Sequence, residues 1–331
     1  MYYNGVNVIN SGCPICFVLG SRSAGKSFYF KKNTIDRFFK YGEEFIYIRR
    51  YQNELEEVLP KYFDDVKNKY SDDISFYTGG SNFYCVKDGV THTMGYHASL
   101  SKIGSLKSIG REKVTTIIFD EFIPFNGRYI KVNDPFYEPN LLLSMYLSVA
   151  RGYNTPIRDN LKIILIANMD TYFNPYFTFF DINMMGKNKY KRDNIYCEII
   201  ENTEVNKLIE ESKIGSILSK TKYGEYALHN IPMNDSFTRI RKHDNKSKKL
   251  FQVYIHRWYS IYYDYYGYLY IGFGYDETFL KTYKMIPLET EKEIPYLPDN
   301  LIKLLRVHAK EDKLYYETPE IKALLSGILY K

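Results

Sequence analysis

Apolar residues in the first two hundred positions fall into short continuous runs, separated by stretches where they recur every three or four residues. The runs at 15–19, 44–50, 114–121, 162–168 and 196–200 read as strands, and the continuously apolar ones as strands buried on both faces. The stretches at 28–41, 54–69 and 140–150 read as helices, with Ile35, Phe38 and Phe39 setting the helical spacing of the first. Asn174-Pro175-Tyr176-Phe177 opens a further short helical or irregular piece. Strands alternating with helices predict an α/β fold: a mostly parallel sheet with helices on both faces. A ligand of such a sheet sits at the C-terminal ends of its strands.

Two regions depart from this alternation. Residues 74–77, 82–86 and 90–96 are short strand-like runs separated by Gly79-Gly80 and Asp88-Gly89, a hairpin signal. They predict an antiparallel insertion between the second and third core strands, followed at 99–111 by a polar, basic, mobile loop. Beyond residue 200, a charged helical stretch at 206–219 reads as a linker. A basic run from Arg239 to Lys249 follows, then strand-rich sequence over 250–275 broken at Gly267 and Gly272, and two closing helices at 299–310 and 318–330. The expected domains are 1–200, a linker over 201–224, and a smaller α/β or α+β domain over 225–331. No internal repeat is evident.

Between the first strand and the first helix stands Gly20-Ser21-Arg22-Ser23-Ala24-Gly25-Lys26-Ser27, the Walker A or P-loop pattern in its required context. Gly20 and Gly25 let the backbone turn its N–H groups onto phosphate oxygens, and the helix start adds its positive dipole end. Lys26 is expected to reach the β- and γ-phosphates of ATP, and Ser27 to offer its hydroxyl to Mg²⁺. The third core strand ends in Asp120-Glu121, a Walker B pattern. Asp120 is expected in the Mg²⁺ shell, and Glu121 as the base that polarises the attacking water. Asn168, at the end of the next strand, is expected beside the γ-phosphate as a sensor. Arg22, inside the loop, is placed to contact phosphate or to swing toward Glu121. Arg49 and Arg50 end a core strand, where they could sense nucleotide state or touch DNA. Arg151 ends an apolar helix at an exposed position, and Arg158 lies seven residues on.

Composition narrows the classes. The chain has 331 residues, 45% of them hydrophobic, which is ample for a core and for two domains. No apolar run approaches the ~20 residues of a membrane span, and the first residues lack the n- and h-regions of a secretion signal. The net charge of +6 suits a nucleic-acid partner. Expected contacts are Lys102, Lys107 and Arg111 in the loop, and Arg239, Arg241, Lys242, Lys246, Lys248 and Lys249 in the basic run. The 35 tyrosines read mainly as core and sheet-face residues. Cys13 and Cys16 form a single C-x-x-C, half of what a structural zinc site needs. Cys16 reads better as a small buried hydrophobe, and the cysteine set fits a reducing compartment.

The P-loop, Arg37 to Glu43, Phe45 to Tyr51, Ile118 to Ile123, Ala167-Asn168 and Asn174 to Phe177 together resemble the DNA-packaging ATPase of phi29-like tailed phages. The resemblance covers most of the first 200 residues and fades beyond 220. It implies a P-loop ATPase of the additional-strand, catalytic-Glu (RecA-like) class, related to terminases and FtsK/HerA translocases. It implies a homomeric ring, usually a pentamer, docked through a structural packaging RNA on the portal of an empty capsid in the host cytoplasm, driving double-stranded DNA inward. Arg151 corresponds to the finger that reaches into the next subunit's site. The C-terminal domain would be RNase H-like without nuclease activity; its first strand, at 250–258, carries no acid. The alternatives are a cellular FtsK-like or helicase-like translocase, and a nucleotide-dependent scaffold that does no work on DNA.

Overall fold

A computed structural model describes residues 3–102, 111–124, 128–130, 134, 136–151, 157–218, 220–230, 232, 238–288 and 293–329. The chain forms two units. The first comprises Met1–Ile130, Phe136–Tyr172 and Asp181–Met233, and the second Lys131–Pro135, Phe173–Phe180 and Asn234–Lys331.

In chain order the first unit contains α1 (Val6–Ile9), β1 (Ile15–Gly20), α2 (Lys26–Tyr41), β2 (Glu44–Arg49), α3 (Gln52–Val58), β3 (Ser75–Gly79), β4 (Asn82–Lys87), β5 (Val90–Ser99), β6 (Val114–Asp120), α4 (Tyr137–Ala150) and β7 (Lys162–Asn168). After α5 (Pro175–Phe179), which belongs to the second unit, come β8 (Lys189–Arg192), β9 (Ile195–Ile200), α6 (Thr203–Glu210), α7 (Gly215–Leu218) and α8 (Lys222–His229). The strands form one sheet in the order β3-β4-β5-β2-β6-β7-β1-β9-β8. Neighbouring strands from β5 to β9 in that order all pair in parallel, so the large, mostly parallel α/β sheet is as expected.

Register sorts the side chains. Tyr196, Cys16, Ile164, Ile118 and Tyr47 stand in one row across five strands and pack with Phe30 and Ile35 of α2 and Leu55 of α3. The intervening Phe17, Ile117, Phe119, Leu165 and Cys197 are equally buried on the opposite face, where the Phe122 ring meets Phe17 edge-on at 5.4 Å. Burial on both faces is why these strands read as continuous apolar runs.

Several expectations need correction. The 74–96 segment is not wholly an antiparallel insertion. β3 and β4 are antiparallel, but β5 runs parallel beside β2 as a core strand. Gly95 permits this, because a Cβ there would lie 2.5 Å from the Phe45 carbonyl oxygen. The helix expected over 54–69 stops at Val58 and gives way to 3₁₀ turns at Leu59–Lys61 and Lys67–Lys69, since Pro60 cannot continue it. The helical stretch after 200 is three short helices. The 103–110 part of the predicted loop lies outside the described residues.

The second unit has a five-stranded sheet in the order β13-β10-β11-β12-β14. Its elements are β10 (Lys248–Tyr254), β11 (Trp258–Tyr263), β12 (Leu269–Phe273), β13 (Thr282–Lys284), α9 (Asp299–Lys310), β14 (Leu314–Tyr316) and α10 (Pro319–Leu329). β10, β11 and β12 form an antiparallel meander, with β13 and β14 added in parallel at the edges. Val253, Tyr259, Ile261 and Ile271 of the sheet enclose a core with Leu305 of α9 and Leu325 of α10.

Candidate nucleotide site

β1 ends at Gly20, whose Cα is so close to β9 that a Cβ would stand 2.3 Å from the Ile200 carbonyl oxygen. The chain then turns through Ser23 (φ 60°) and Gly25 (φ 89°) into α2. Lys26, the first residue of α2, folds back over the loop. Its Nζ donates to the carbonyls of Gly20 at 2.9 Å and Ser21 at 2.7 Å, and to Asn168 Oδ1 at 3.4 Å. Burial pushes the Lys26 ammonium down to about 8, against a partial counter-pull from Asp120. Behind the loop, the Tyr3 N–H donates to the Ala24 carbonyl, so the chain just before α1 meets the loop's backbone.

The additional strand is β7, which lies between β1 and β6. This order brings three strand ends to one place. Ser27 Oγ donates to Asp120 Oδ1 at 3.1 Å, and Tyr47 OH donates to Asp120 Oδ2 at 3.1 Å. An open cleft of about 230 Å³ is lined by Ser23 to Phe28, Asp120, Glu121 and Ile166 to Asn168.

Two arginines that the sequence placed only vaguely turn out to organise the end of β6. Glu121 has a left-handed backbone (φ 58°), and its side chain is 58% exposed. Arg49 Nη2 pairs with Glu121 Oε2 at 2.8 Å, and Arg49 Nη1 stands 3.6 Å from Asp120 Oδ2. Arg50 is buried on the other side of the strand end. It donates from Nη1 to the Glu121 carbonyl at 3.0 Å, from Nη2 to the Phe122 carbonyl at 2.5 Å, and from Nε to Glu138 at 3.0 Å. The only sequence signal for these roles is the pair of cations at a strand end. Arg22, in contrast, lies over the Tyr223 ring at 5.8 Å, and the cation at Glu121 is Arg49.

The residues fit a triphosphate. The Ser21 hydroxyl is buried with no hydrogen-bond partner among the described residues. Among the described residues the Lys26 ammonium hydrogen-bonds to neutral oxygens, and the start of a 16-residue helix points into the loop. Ser27 and Asp120, already in contact, are the donor set that Mg²⁺ takes.

Away from the cleft, Arg151 is the exposed residue that ends α4. Arg158 is engaged with backbone, donating to the carbonyls of Glu112, Val114, Arg111 and Val149. Lys102 is exposed, and Lys107 lies outside the described residues. Arg111 is no surface contact: it is buried, with its guanidinium 3.5 Å from the centre of the Tyr96 ring. In the second unit Arg241, Lys242, Lys246 and Lys248 are exposed. Arg239 pairs with Asp312, Lys242 pairs with Glu317, and Lys249 lies over Phe279. Cys13 and Cys16 are free and buried. Among the described residues no group of three or more His, Cys, Asp or Glu side chains is placed to hold a metal ion.

A model of the family described as podovirus DNA encapsidation protein (Gp16) matches residues 1–313. The chain belongs to that family. Among its relatives, the DNA packaging protein of Bacillus phage B103 is 37% identical over 243 residues, covering 72% of this chain and 70% of that one. The DNA packaging protein of Bacillus phage phi29 is 34% identical over 263 residues, or 76% and 72% of the two chains. Among solved structures, the phi29 viral genome packaging motor assembly matches 99% of this chain and 99% of its own, with a TM-score of 0.72 and 27% identity. The N-terminal domain of the phi29 DNA packaging ATPase matches 60% of this chain and 96% of its own, with a TM-score of 0.51 and 34% identity. This Gp16-family chain is thus a DNA-packaging ATPase.

Proposed function

We propose that the chain is the ATP-hydrolysing subunit of a homomeric ring, a pentamer, that drives double-stranded DNA into an empty capsid. The observation that carries this is the meeting of Lys26, Ser27, Asp120, Glu121 and Asn168 around one cleft. The loop amides and Lys26 hold the phosphates. Ser27 and Asp120 hold Mg²⁺, which, when bound, neutralises charge on the phosphoryl group being transferred. Glu121 takes the proton of the attacking water, Arg49 holds that carboxylate until it is needed, and Asn168 orients groups beside the γ-phosphate. Arg22 leaves Tyr223 to meet phosphate, and Arg151 enters the neighbouring subunit's cleft.

The ring would sit at the portal vertex, in the host cytoplasm, through a structural packaging RNA. The second unit would be an RNase H-like domain that binds nucleic acid through its basic run and does not cut it. Supporting that reading, Asp264 and Asp276 each cap a local turn. Glu121→Gln decides the central assignment. The variant should bind ATP like the parent, lose turnover, and fail to protect DNA from nuclease in an empty-capsid packaging reaction. Near-normal turnover would remove Glu121 as the base.

A further inference from the structure

The hairpin that joins β11 to β12 carries two tyrosines into solvent: Tyr265 is 98% exposed and Tyr266 is 80% exposed. Neither contributes to the core, yet the turn beneath them is tightly built. Asp264 Oδ1 accepts the N–H groups of Tyr266 and Tyr268 at 2.9 Å each, and Asp264 Oδ2 accepts Tyr270 OH at 2.9 Å. Gly267 closes the turn with φ 80°. The two rings stand 5.9 Å apart at 82° to each other, so each keeps a face open.

The surroundings are cationic. In the β10–β11 ladder Lys248 lies opposite Tyr263 and Lys249 opposite Tyr262. His243 stacks on Tyr262 at 3.7 Å, which lays the basic run against the hairpin's own strand. The nearby acids are engaged. Asp264 holds its turn, Asp244 accepts the N–H groups of Lys246 and Ser247, Asp312 pairs with Arg239, and Glu311 pairs with Lys313. Lys246 and Lys248 are exposed, and Lys248 lies opposite Tyr263, two residues before Tyr265 in the chain.

We propose that this hairpin is a stacking platform for unpaired nucleotides, with bases on Tyr265 and Tyr266 and phosphates on Lys246 and Lys248. Open aromatic faces beside cations are how single strands are held without reading their sequence. A duplex keeps its base faces stacked and offers these rings nothing. A protein partner would need an apolar surround, and here the surround is charged. The proposal rests on the nucleic-acid reading of the basic run and adds to it the strandedness of the ligand.

The test uses the full-length protein and oligonucleotides containing 2-aminopurine, as single-stranded DNA, single-stranded RNA and duplex DNA. Single strands should bind with quenching of the 2-aminopurine, and the tighter of the two identifies the source of the strand. Tyr265→Ala with Tyr266→Ala should weaken single-strand binding by about fivefold to a hundredfold per ring and remove the quenching, leaving duplex binding unchanged. Phe at both positions should keep binding and quenching. Both tyrosines are outside the core, so thermal unfolding should not move. Lys246→Glu with Lys248→Glu should weaken binding and flatten its salt dependence. If the Ala pair binds and quenches like the parent while the Glu pair weakens binding, the platform is wrong and the basic-run reading stands. If neither pair changes binding, both are wrong.

Discussion

Glu138 offers the sharpest test of how the Glu121 turn is held. Its carboxylate and the Arg50 guanidinium are each 1% exposed. The carboxylate receives Arg50 and also the Ile130 N–H at 3.0 Å. Glu138→Ala leaves a guanidinium buried without its counter-charge, a change that costs about 3–5 kcal/mol. At ~2–4 °C per kcal/mol for a unit of this size, the first unit should melt roughly 6–20 °C lower. A double replacement separates packing from positioning. Arg50→Met with Glu138→Leu removes both charges and keeps apolar volume, which restores most of the stability. It does not restore the bonds from Arg50 to the carbonyls of Glu121 and Phe122. The double variant should therefore be stable, bind ATP with little change in KM, and hydrolyse it slowly. Thermal unfolding and steady-state hydrolysis read the two effects independently. A double variant with full turnover would refute the positioning role, and a single variant that melts within a degree or two of the parent would refute the energetics.

Other outcomes follow from the same cleft. Arg49→Ala frees Glu121 from its ion pair, so hydrolysis without DNA should rise while packaging falls; an unchanged ratio of the two rates would count against the restraint. Lys26 is held near 8 in the free protein, below its ordinary 10.5, so the unfolded chain binds more protons between these values and stability should rise with pH across that window. Phosphates favour the charged lysine, so ATP binding at about pH 8.5 should take up protons, which calorimetry in buffers of different ionisation enthalpy detects; proton release would contradict it. Mixing Arg151→Ala subunits with Lys26→Ala subunits should recover hydrolysis that neither shows alone, and normal hydrolysis by an all-Arg151→Ala ring would exclude the finger.

The parts that were legible in the sequence are those where backbone geometry restricts residue type. Gly20 and Gly25 must be glycine or nearly so, and a buried strand that suddenly ends in Asp120-Glu121 announces itself. Arg49 and Arg50 were visible only as a pair, because successive strand residues face opposite ways. Which one meets Glu121 depends on β2 lying beside β6, a long-range pairing that neither residue encodes. β8, β13 and β14 went unread because edge strands of three or four residues, such as Lys189–Arg192, carry no apolar alternation. Arg111 misled for the opposite reason. A cation in polar sequence looks like a surface contact, and only the Tyr96 ring beneath it shows that it belongs inside.

The position of Arg151 argues that a finger there must act on another subunit. α4 is fastened to β6 at both ends. Its start is held by Glu138, through Arg50, to the Glu121–Phe122 backbone at the end of β6. Its last turn is held by Arg158, which donates to Val149 at one hand and to Val114, the first residue of β6, at the other. The lengths agree. Fourteen helical residues rise about 21 Å, and seven strand residues span about 23 Å. The helix therefore runs back along the whole strand, and Arg151 emerges at the edge of the sheet where the parallel strands begin. The cleft of the same subunit is at the other edge, at the strand ends, so Arg151 stands about 20 Å from its own Glu121, beyond the reach of one side chain. Its own subunit cannot use it for catalysis. A displacement of the Glu121 turn, however, pulls on Arg50 and Glu138 and hence on the helix that ends in Arg151. One rod thus joins a subunit's own Glu121, proposed above as the base, to the arginine proposed to enter the neighbouring cleft.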